Sequence, residues 1–153
     1  RIKDIRKLFP DIALTTDILA GFVGETEEEF NETIEFIKRT KFYEMHVFPY
    51  SRRSGTVADA LTGHLEKSVI TARAKKIGDL ALKLKEEYIN NYIECEVYVL
   101  AEAKKNNYWH GHTSNYLDVY FESNMELENK IIKVKIISYQ NKKIIGEMEE
   151  VYE

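Results

Sequence analysis

The stretch TTDILAGFVGETEEEF (residues 15–30) contains the signals that decide the fold of the first half of the chain. The run at residues 13–22 is apolar without strict alternation, which is typical of a strand buried on both faces of a parallel sheet. Gly21 and Gly24 then end the strand, and four glutamates follow within five residues. We expect a sharp turn at the carboxyl end of this strand, followed directly by a helix.

The glutamates have a simple explanation as the start of that helix. Thr26 lies three residues before Glu29, which is the spacing of a capping box. Acidic side chains are also favoured in a first helical turn, where the helix dipole is positive. The apolar residues that follow recur at helical spacing and form one stripe: Phe30, Ile34 and Ile37. The glutamates are therefore interpreted as the first turn of a helix rather than as a catalytic carboxylate pair.

A second strand is predicted at EMHVFPY (residues 44–50), and Pro49 marks its end. Strand, glycine turn, helix and strand make a βαβ unit, whose parallel strands end at one edge of the sheet. Ligands of α/β proteins bind at that edge, although a tight turn without a ligand explains the glycines equally well. Residues 51–63 read as a loop or short helix.

A long helix is predicted over residues 65–93 and separates the α/β part from a β-rich part. Its expected apolar face is Val69, Ile77, Leu80, Leu84 and Tyr88, and its expected solvent face is Arg73, Lys76, Lys83 and Glu87. After it come short β-branched and tyrosine-rich runs at 96–100, 116–121, 130–137 and 143–148. Such runs predict a small antiparallel barrel. The fold class is α/β plus all-β, with domains at 1–90 and 91–153.

Composition limits the possible functions. The chain has 153 residues and a net charge of −4. Residues 1–90 carry fifteen basic and fifteen acidic residues, against seven and eleven in 91–153, so the second part is acidic, which is unfavourable for phosphate contacts. Cys95 is the only cysteine, which suits a cytosolic protein and cannot hold an iron–sulfur cluster alone. No apolar run is long enough to span a membrane, and there is no signal-peptide pattern.

Three stretches of the sequence contain candidate binding residues. The run HVFPYSRR (46–53) is either a strand that meets a proline or a strand tip that stacks a planar ring, with two arginines for phosphate. Asp17 inside the first strand either pairs with an arginine or touches a ligand. The run WHGHTSNY (109–116) reads as a polar hairpin loop or as a loop that stacks and hydrogen-bonds single-stranded bases. Its two histidines are a weak metal signal. No catalytic nucleophile with a base is found.

Taken together, three segments resemble the radical S-adenosylmethionine methylthiotransferases that modify tRNA. The segments are TTDILAGFVGETEEEFNETIEFI (15–37), HVFPYSRRSGTVA (46–58) and GHTSNYLDVYF (111–121), the last lying in the family's TRAM module. Their variants look most like the branch that acts on threonylcarbamoyl-adenosine beside the anticodon. The resemblance implies the C-terminal part of a partial (β/α) radical-SAM barrel, followed by an OB-like TRAM barrel.

The resemblance also implies cofactors, partners and site residues. The complete enzyme uses S-adenosylmethionine and iron–sulfur clusters, and the cluster cysteines are absent from this chain, so the fragment alone is expected to be inactive. The residues expected on the cofactor side are Thr16, Asp17, Gly21, Phe48, Pro49 and Tyr50. Those expected to meet RNA, in the form of a tRNA anticodon stem-loop, are Arg52, Arg53, His112, Asn115 and Tyr116. No residue of this chain is expected to bind a metal ion.

Two departures and one alternative qualify this interpretation. Val23 stands where the family has proline, and the TRAM part is acidic unless Lys104, Lys105, Lys133 and Lys135 gather on one face. The alternative is a stand-alone RNA-binding or interaction module without catalysis.

The first residue, Arg1, suggests a fragment, and a truncated barrel is expected to expose an edge and an apolar face. Self-association through residues 13–22 is then predicted.

Overall fold

The structure is a computed structural model that describes residues 1–152. Its helices are α1 (Ile2–Leu8), α2 (Glu27–Thr40), α3 (Val57–Ala60) and α4 (Lys67–Asn90), and its strands are β1 (Thr15–Ala20), β2 (Glu44–Pro49), β3 (Glu96–Lys105), β4 (Tyr108–Thr113), β5 (Asp118–Glu122), β6 (Ile131–Gln140) and β7 (Lys143–Tyr152). Two compact units result, Arg1–Leu8 with Ala13–Lys85 and Phe9–Ile12 with Glu86–Glu153. The division falls within α4. Across residues 1–152, no helix has the length and apolar character needed to cross a lipid bilayer.

The first unit contains the predicted strand–turn–helix–strand. β1 and β2 pair in parallel, and Ala20 lies opposite Pro49 at the end of the ladder. The helix α2 begins at Thr26, whose hydroxyl accepts from the Glu29 amide while the Glu29 carboxylate accepts from the Thr26 amide. The predicted capping box is therefore confirmed. Its apolar stripe packs into one core with β1, β2 and α4: Ala20, Phe30, Ile34, Ile37, Phe42, Met45, Ile77 and Leu84.

The prediction that the first strand is buried on both faces is wrong. Burial alternates along β1, so that Thr16, Ile18 and Ala20 face the helices while the other side chains are exposed. The physical reason is that the described part of the sheet has only two strands, with helices on one face. On the open face Leu19 and Phe48 remain 49% and 52% exposed. The expected open edge is present, whereas the expected apolar face is mixed, because Asp17 and His46 share it with Leu19 and Phe48.

The assignment of faces on α4 also needs correction. Arg73, expected in solvent, is only 7% exposed, whereas Val69, expected in the core, is 37% exposed. The helix turns Arg73 towards the acidic start of α2, where two carboxylates bind its guanidinium. A paired charge can be buried at this depth, and an amphipathic pattern alone does not reveal the partner.

The second unit contains a closed barrel of five strands in the order β3-β4-β5-β7-β6, and β6 pairs back onto β3. Alternate residues point inward and form a core that includes Val99, Trp109, Val119, Phe121, Ile132, Val134 and Ile136. Gly111 permits close approach of strands, because a Cβ there would overlap the Leu100 carbonyl. The predicted small barrel is therefore present in the described residues.

Two details of the predicted barrel are wrong. The pairing of β5 with β7 is parallel, so the barrel is not antiparallel throughout. The run at 109–116 is not a loop for most of its length, because β4 occupies Tyr108–Thr113 and pairs with both β3 and β5. Trp109, at 2% exposure, fills the barrel and donates its ring N–H to the Met125 carbonyl at 3.1 Å.

Candidate functional site

The carboxyl ends of β1 and β2 form one edge in the first unit. The Tyr50 amide donates to the Ala20 carbonyl at 2.9 Å, so β1 and β2 end side by side. Gly21 and Gly24 adopt φ values of +74° and +80°, which side-chain-bearing residues rarely adopt. The Gly24 amide donates to the Gly63 carbonyl at 3.0 Å, which ties the loop after β2 to the turn after β1. The two predicted bends therefore lie at one end of the sheet.

The glutamates after β1 hold the turn together. Glu25 Oε2 accepts from the Gly21 amide at 3.0 Å and from Arg73 Nη1 at 2.6 Å. A second bond from Nη1 reaches the Glu25 carbonyl at 2.9 Å, and Nη2 binds Glu27 Oε2 at 3.0 Å. One buried arginine thus connects α4, the turn and the first residue of α2. We refer to Arg73, Glu25 and Gly21 as the arginine lock.

The electrostatics of the arginine lock favour a permanently charged guanidinium. Burial alone lowers the pKa of Arg73, but the hydrogen bonds and charges of Glu25 and Glu27 outweigh burial and raise the pKa. The guanidinium carbon also lies 5.0 Å from the centroid of the Phe30 ring. The arrangement positions the backbone turn after β1.

Aromatic rings gather beside this edge. The Phe22 and Tyr50 rings meet edge to face at 5.2 Å, and the Tyr50 ring stacks on His64 with centroids 6.1 Å apart. The Tyr50 hydroxyl and His64 Nδ1 are buried, and neither has a hydrogen-bond partner among the described residues. A buried polar atom without a partner costs free energy, so a polar ligand atom or water is expected to meet each of them. Sequence reasoning missed His64, which carries no motif.

The predicted cofactor residues divide between two faces of the sheet. Asp17 and Phe48 are exposed on the open face, where Asp17 lies opposite His46. Asp17 makes no ion pair with an arginine in the part of the chain that the structure describes, so that alternative fails. Thr16 faces the helix side, half-buried, whereas Gly21, Pro49 and Tyr50 lie at the edge itself.

The two predicted phosphate-binding arginines differ. Arg52 Nε donates to Asp59 Oδ1 at 2.8 Å, and Nη2 donates to the Asp59 carbonyl at 3.1 Å, which partly neutralises its charge. Arg53 is exposed, and within residues 1–152 its guanidinium makes no ion pair. Arg53 is therefore the more available of the two for a phosphate.

The predicted RNA residues of the barrel lie around the end of β4. Asn115 is engaged internally: its amide donates to the Tyr88 and Tyr92 hydroxyls at 3.0 and 2.7 Å, and its carbonyl accepts from Thr113 Oγ1 at 2.6 Å. Tyr116 follows at φ +63°, and its side chain is 74% exposed. A bulky residue at positive φ is strained, and such strain concentrates at functional sites. The geometry makes Asn115 a support for the turn that presents Tyr116.

His112 lies beside Tyr116, whereas the four barrel lysines lie elsewhere on the barrel. His112 Nδ1 lies 3.0 Å from Glu102 Oε2 and its ring is near Tyr116, at 6.2 Å. Lys133 pairs with Glu96 and Glu149, and Lys135 pairs with Glu94. These two lysines are therefore neutralised, and the basic face considered from the sequence does not form from all four.

No protein-family model matches the chain. A Bacillus subtilis protein named threonylcarbamoyladenosine tRNA methylthiotransferase is 40% identical over 143 residues, which is 90% of this chain and 32% of that protein. Proteins named tRNA-2-methylthio-N(6)-dimethylallyladenosine synthase, from Aquifex aeolicus and a Clostridium botulinum strain, are 31% and 34% identical over 99% and 97% of this chain and 34% and 33% of their own lengths.

The chain is a homologue of the tRNA methylthiotransferases. The resemblance to this family that the sequence segments indicated is confirmed at that level. This methylthiotransferase homologue spans about a third of the length of the curated relatives that it matches. The described residues hold no cluster of three or more His, Cys, Asp or Glu side chains that could bind a metal ion, and Cys95 is an exposed free thiol.

Proposed function

We propose that the chain is the C-terminal portion of a radical S-adenosylmethionine tRNA methylthiotransferase. In this proposal residues 1–90 complete a partial (β/α) barrel and residues 91–153 form the TRAM module. The observation that carries the proposal is the similarity to tRNA-modifying enzymes over 90% or more of the chain. A shared strand edge followed by a small closed barrel agrees with it.

The residues of this chain fit one of the two cofactors. S-adenosylmethionine, when bound, supplies the radical that activates the adenosine and the methyl group. Its adenosyl part would lie at the edge formed by Gly21, Pro49 and Tyr50, with Asp17 and Phe48 on the open face. The buried Tyr50 hydroxyl without a partner supports a polar ligand there. Thr16, which faces the helices, would act through the backbone.

Iron–sulfur clusters do not fit the residues present. A cluster needs three or four thiolates, and the sequence holds Cys95 alone. The cluster ligands of the proposed enzyme would therefore come from outside this chain. The chain by itself is accordingly proposed to be catalytically inactive.

The proposed substrate is N6-threonylcarbamoyladenosine beside the anticodon of a tRNA, modified in the cytoplasm. The higher identity to the relative named for that nucleoside, 40% against 31% and 34%, supports this branch. Arg52 and Arg53 would approach a phosphate of the cofactor or tRNA. His112 and Tyr116 would face the anticodon stem-loop, and Asn115 would hold Tyr116 in place.

A chimera tests the proposal. The region of the Bacillus subtilis relative that aligns with this chain is replaced by this chain, and the chimera is expressed in a strain that lacks the relative. We expect mass spectrometry of tRNA nucleosides to detect methylthiolated threonylcarbamoyladenosine. The matched control is the relative truncated at the same junction, which should leave the nucleoside unmodified. A folded, cluster-containing chimera that modifies no adenosine refutes the proposed function, and one that modifies dimethylallyladenosine instead refutes the branch.

The alternative of a stand-alone RNA-binding module is supported by the division of the chain into two compact units. The gene sequence upstream of Arg1 separates the two: a CxxxCxxC motif in the same reading frame supports the enzyme. A start codon directly before Arg1 supports the module. Titration of the chain with an anticodon stem-loop tests RNA binding in either case, because the affinity should fall as salt rises.

Self-association of the isolated chain is a further part of the proposal. In the described sheet β1 has a free edge, and Leu19 and Phe48 expose apolar surface beside it. A second copy could extend the sheet through residues 13–22. Light scattering should detect dimers, and a monomer at all protein concentrations would contradict the expectation.

A further inference from the structure

The outer face of β4 and β5 carries a row of stacked side chains that lies outside the individual residues expected above to meet RNA. His110 lies opposite Tyr120 across the two strands, and their rings stack with centroids 5.4 Å apart and planes 24° apart. The Lys143 ammonium approaches the Tyr120 ring from β7, 4.7 Å from its centroid. His110 approaches the same tyrosine from β4. We call these three side chains the stacking row.

The stacking row is open at its His110 end. A register shift in β3 inserts Glu102 between the partners of β4, so that Ala103 lies directly opposite His110. A bulge of this kind re-aims the side chains around it. Glu102 turns to His112, whereas Ala103 is exposed and offers only a methyl group beside the His110 ring. The small Ala103 side chain leaves the His110 ring half-exposed, while Asp118 Oδ1 lies 3.5 Å from His110 Nδ1 at the ring edge.

The surroundings favour a nucleic acid as the ligand. Lys105 and Lys143 make no ion pair in the described part of the chain, in contrast to Lys133 and Lys135. Lys104 is engaged elsewhere, because its ammonium lies over the Trp109 ring and donates to the Met125 carbonyl. Lys105 near the hairpin and Lys143 in the row can meet phosphates around a base. In five-stranded OB-type barrels the face of the second and third strands binds oligonucleotides, and here those strands are β4 and β5.

We propose that an unpaired nucleobase stacks on His110 above Ala103 and extends the stacking row by one ring. This inference rests on the proposed function, since it takes RNA as the ligand, and it adds a base-stacking subsite that is distinct from Tyr116. Stacking needs only the π-face of a base, so the subsite accepts single-stranded RNA with little sequence preference.

The test uses the whole chain and two fluorescein-labelled probes of about ten nucleotides, an oligoadenylate and an abasic ribose-phosphate oligomer. Fluorescence anisotropy at low salt gives the affinity of each. We expect His110→Ala to weaken oligoadenylate binding about five- to one-hundred-fold and to leave the abasic oligomer unchanged. Ala103→Leu, at an exposed position, fills the space beside His110 and should weaken oligoadenylate binding in the same way.

Tyr152→Ser is the matched control, because Tyr152 is an exposed aromatic residue of β7 that contacts Tyr98 rather than the row. It should leave both affinities at the wild-type value. If both His110→Ala and Ala103→Leu bind oligoadenylate like the wild type, the subsite is refuted while RNA binding stands. If wild type binds the two probes equally, only phosphates are bound and the subsite is again refuted. If it binds neither, the proposed RNA role fails as well.

Discussion

The arginine lock allows a quantitative prediction for Arg73→Met. The substitution removes two hydrogen bonds to Glu25, one of them to a carboxylate whose side chain is 15% exposed, and leaves that carboxylate without its cation. Removing one partner of a buried ion pair costs about 3–5 kcal/mol. The bond to Glu27 adds little, because the Glu27 side chain is 65% exposed. We expect a loss of about 3 kcal/mol in the free energy of unfolding, a large share of the stability of a domain.

Urea denaturation followed by far-ultraviolet circular dichroism measures this loss, and amide hydrogen exchange locates it. Exchange should accelerate across residues 21–30, because the Gly21 amide donates to Glu25. The matched control is Lys75→Met on the same helix, where the lysine is exposed and pairs with Asp79, so about 0.5 kcal/mol or less is expected. The double variant Arg73→Met with Glu25→Met removes both charges and should recover at least about 1 kcal/mol of the loss.

The reasoning is refuted if Arg73→Met costs no more than Lys75→Met. In that case Glu25 is solvated well enough to stand without its cation, and the turn after β1 is held by its glycines alone. A loss of stability without faster exchange at residues 21–30 would instead place the effect elsewhere on α4.

Three further predictions concern other parts of the molecule. Gly21→Ala should lower the unfolding free energy by about 1–3 kcal/mol in chemical denaturation, because φ is +74° and the new Cβ would lie 2.8 Å from Ile70 Cγ1; no change would refute the turn geometry. Burial raises the pKa of Tyr92 above its ordinary 10.0, so the folded state holds this proton more tightly than the unfolded state does. The free energy of unfolding therefore has its full value below pH 10 and falls as the pH rises beyond 10. Tyr92→Phe should flatten that fall in alkaline denaturation curves. Tyr116→Asn should change stability by no more than about 0.5 kcal/mol, because Asn tolerates positive φ, while oligonucleotide affinity measured by anisotropy falls about five-fold or more; unchanged affinity would remove Tyr116 from the RNA surface.

Local signals explain which elements were predictable. Thr26 and Glu29 satisfy each other within one helical turn, and the glycines at 21 and 24 supply the positive φ of the turn. Since these signals act over a few residues, the strand, turn, helix and second strand could be predicted from the sequence. The β-branched runs likewise predict the barrel, although β4 does not read as a strand because Gly111 is a weak strand former and two polar histidines flank it.

Long-range pairing decided the rest of the site. Arg73 reads as a solvent residue in its helical pattern, and only the fold brings it to Glu25, 48 residues away in sequence. His110 and Tyr120 lie in runs that the sequence singled out, but only strand register makes them neighbours.

By itself, the sequence determined the βαβ unit and the small barrel, since caps, glycines and apolar periodicity act between near neighbours. The relationship to tRNA methylthiotransferases came from the resemblance of three sequence segments to that family. The tertiary structure alone decided which charges are buried and paired, which sheet face stays open, and which aromatic rings stack. Those features depend on contacts between residues far apart in the chain, and a linear pattern does not specify the distance between them.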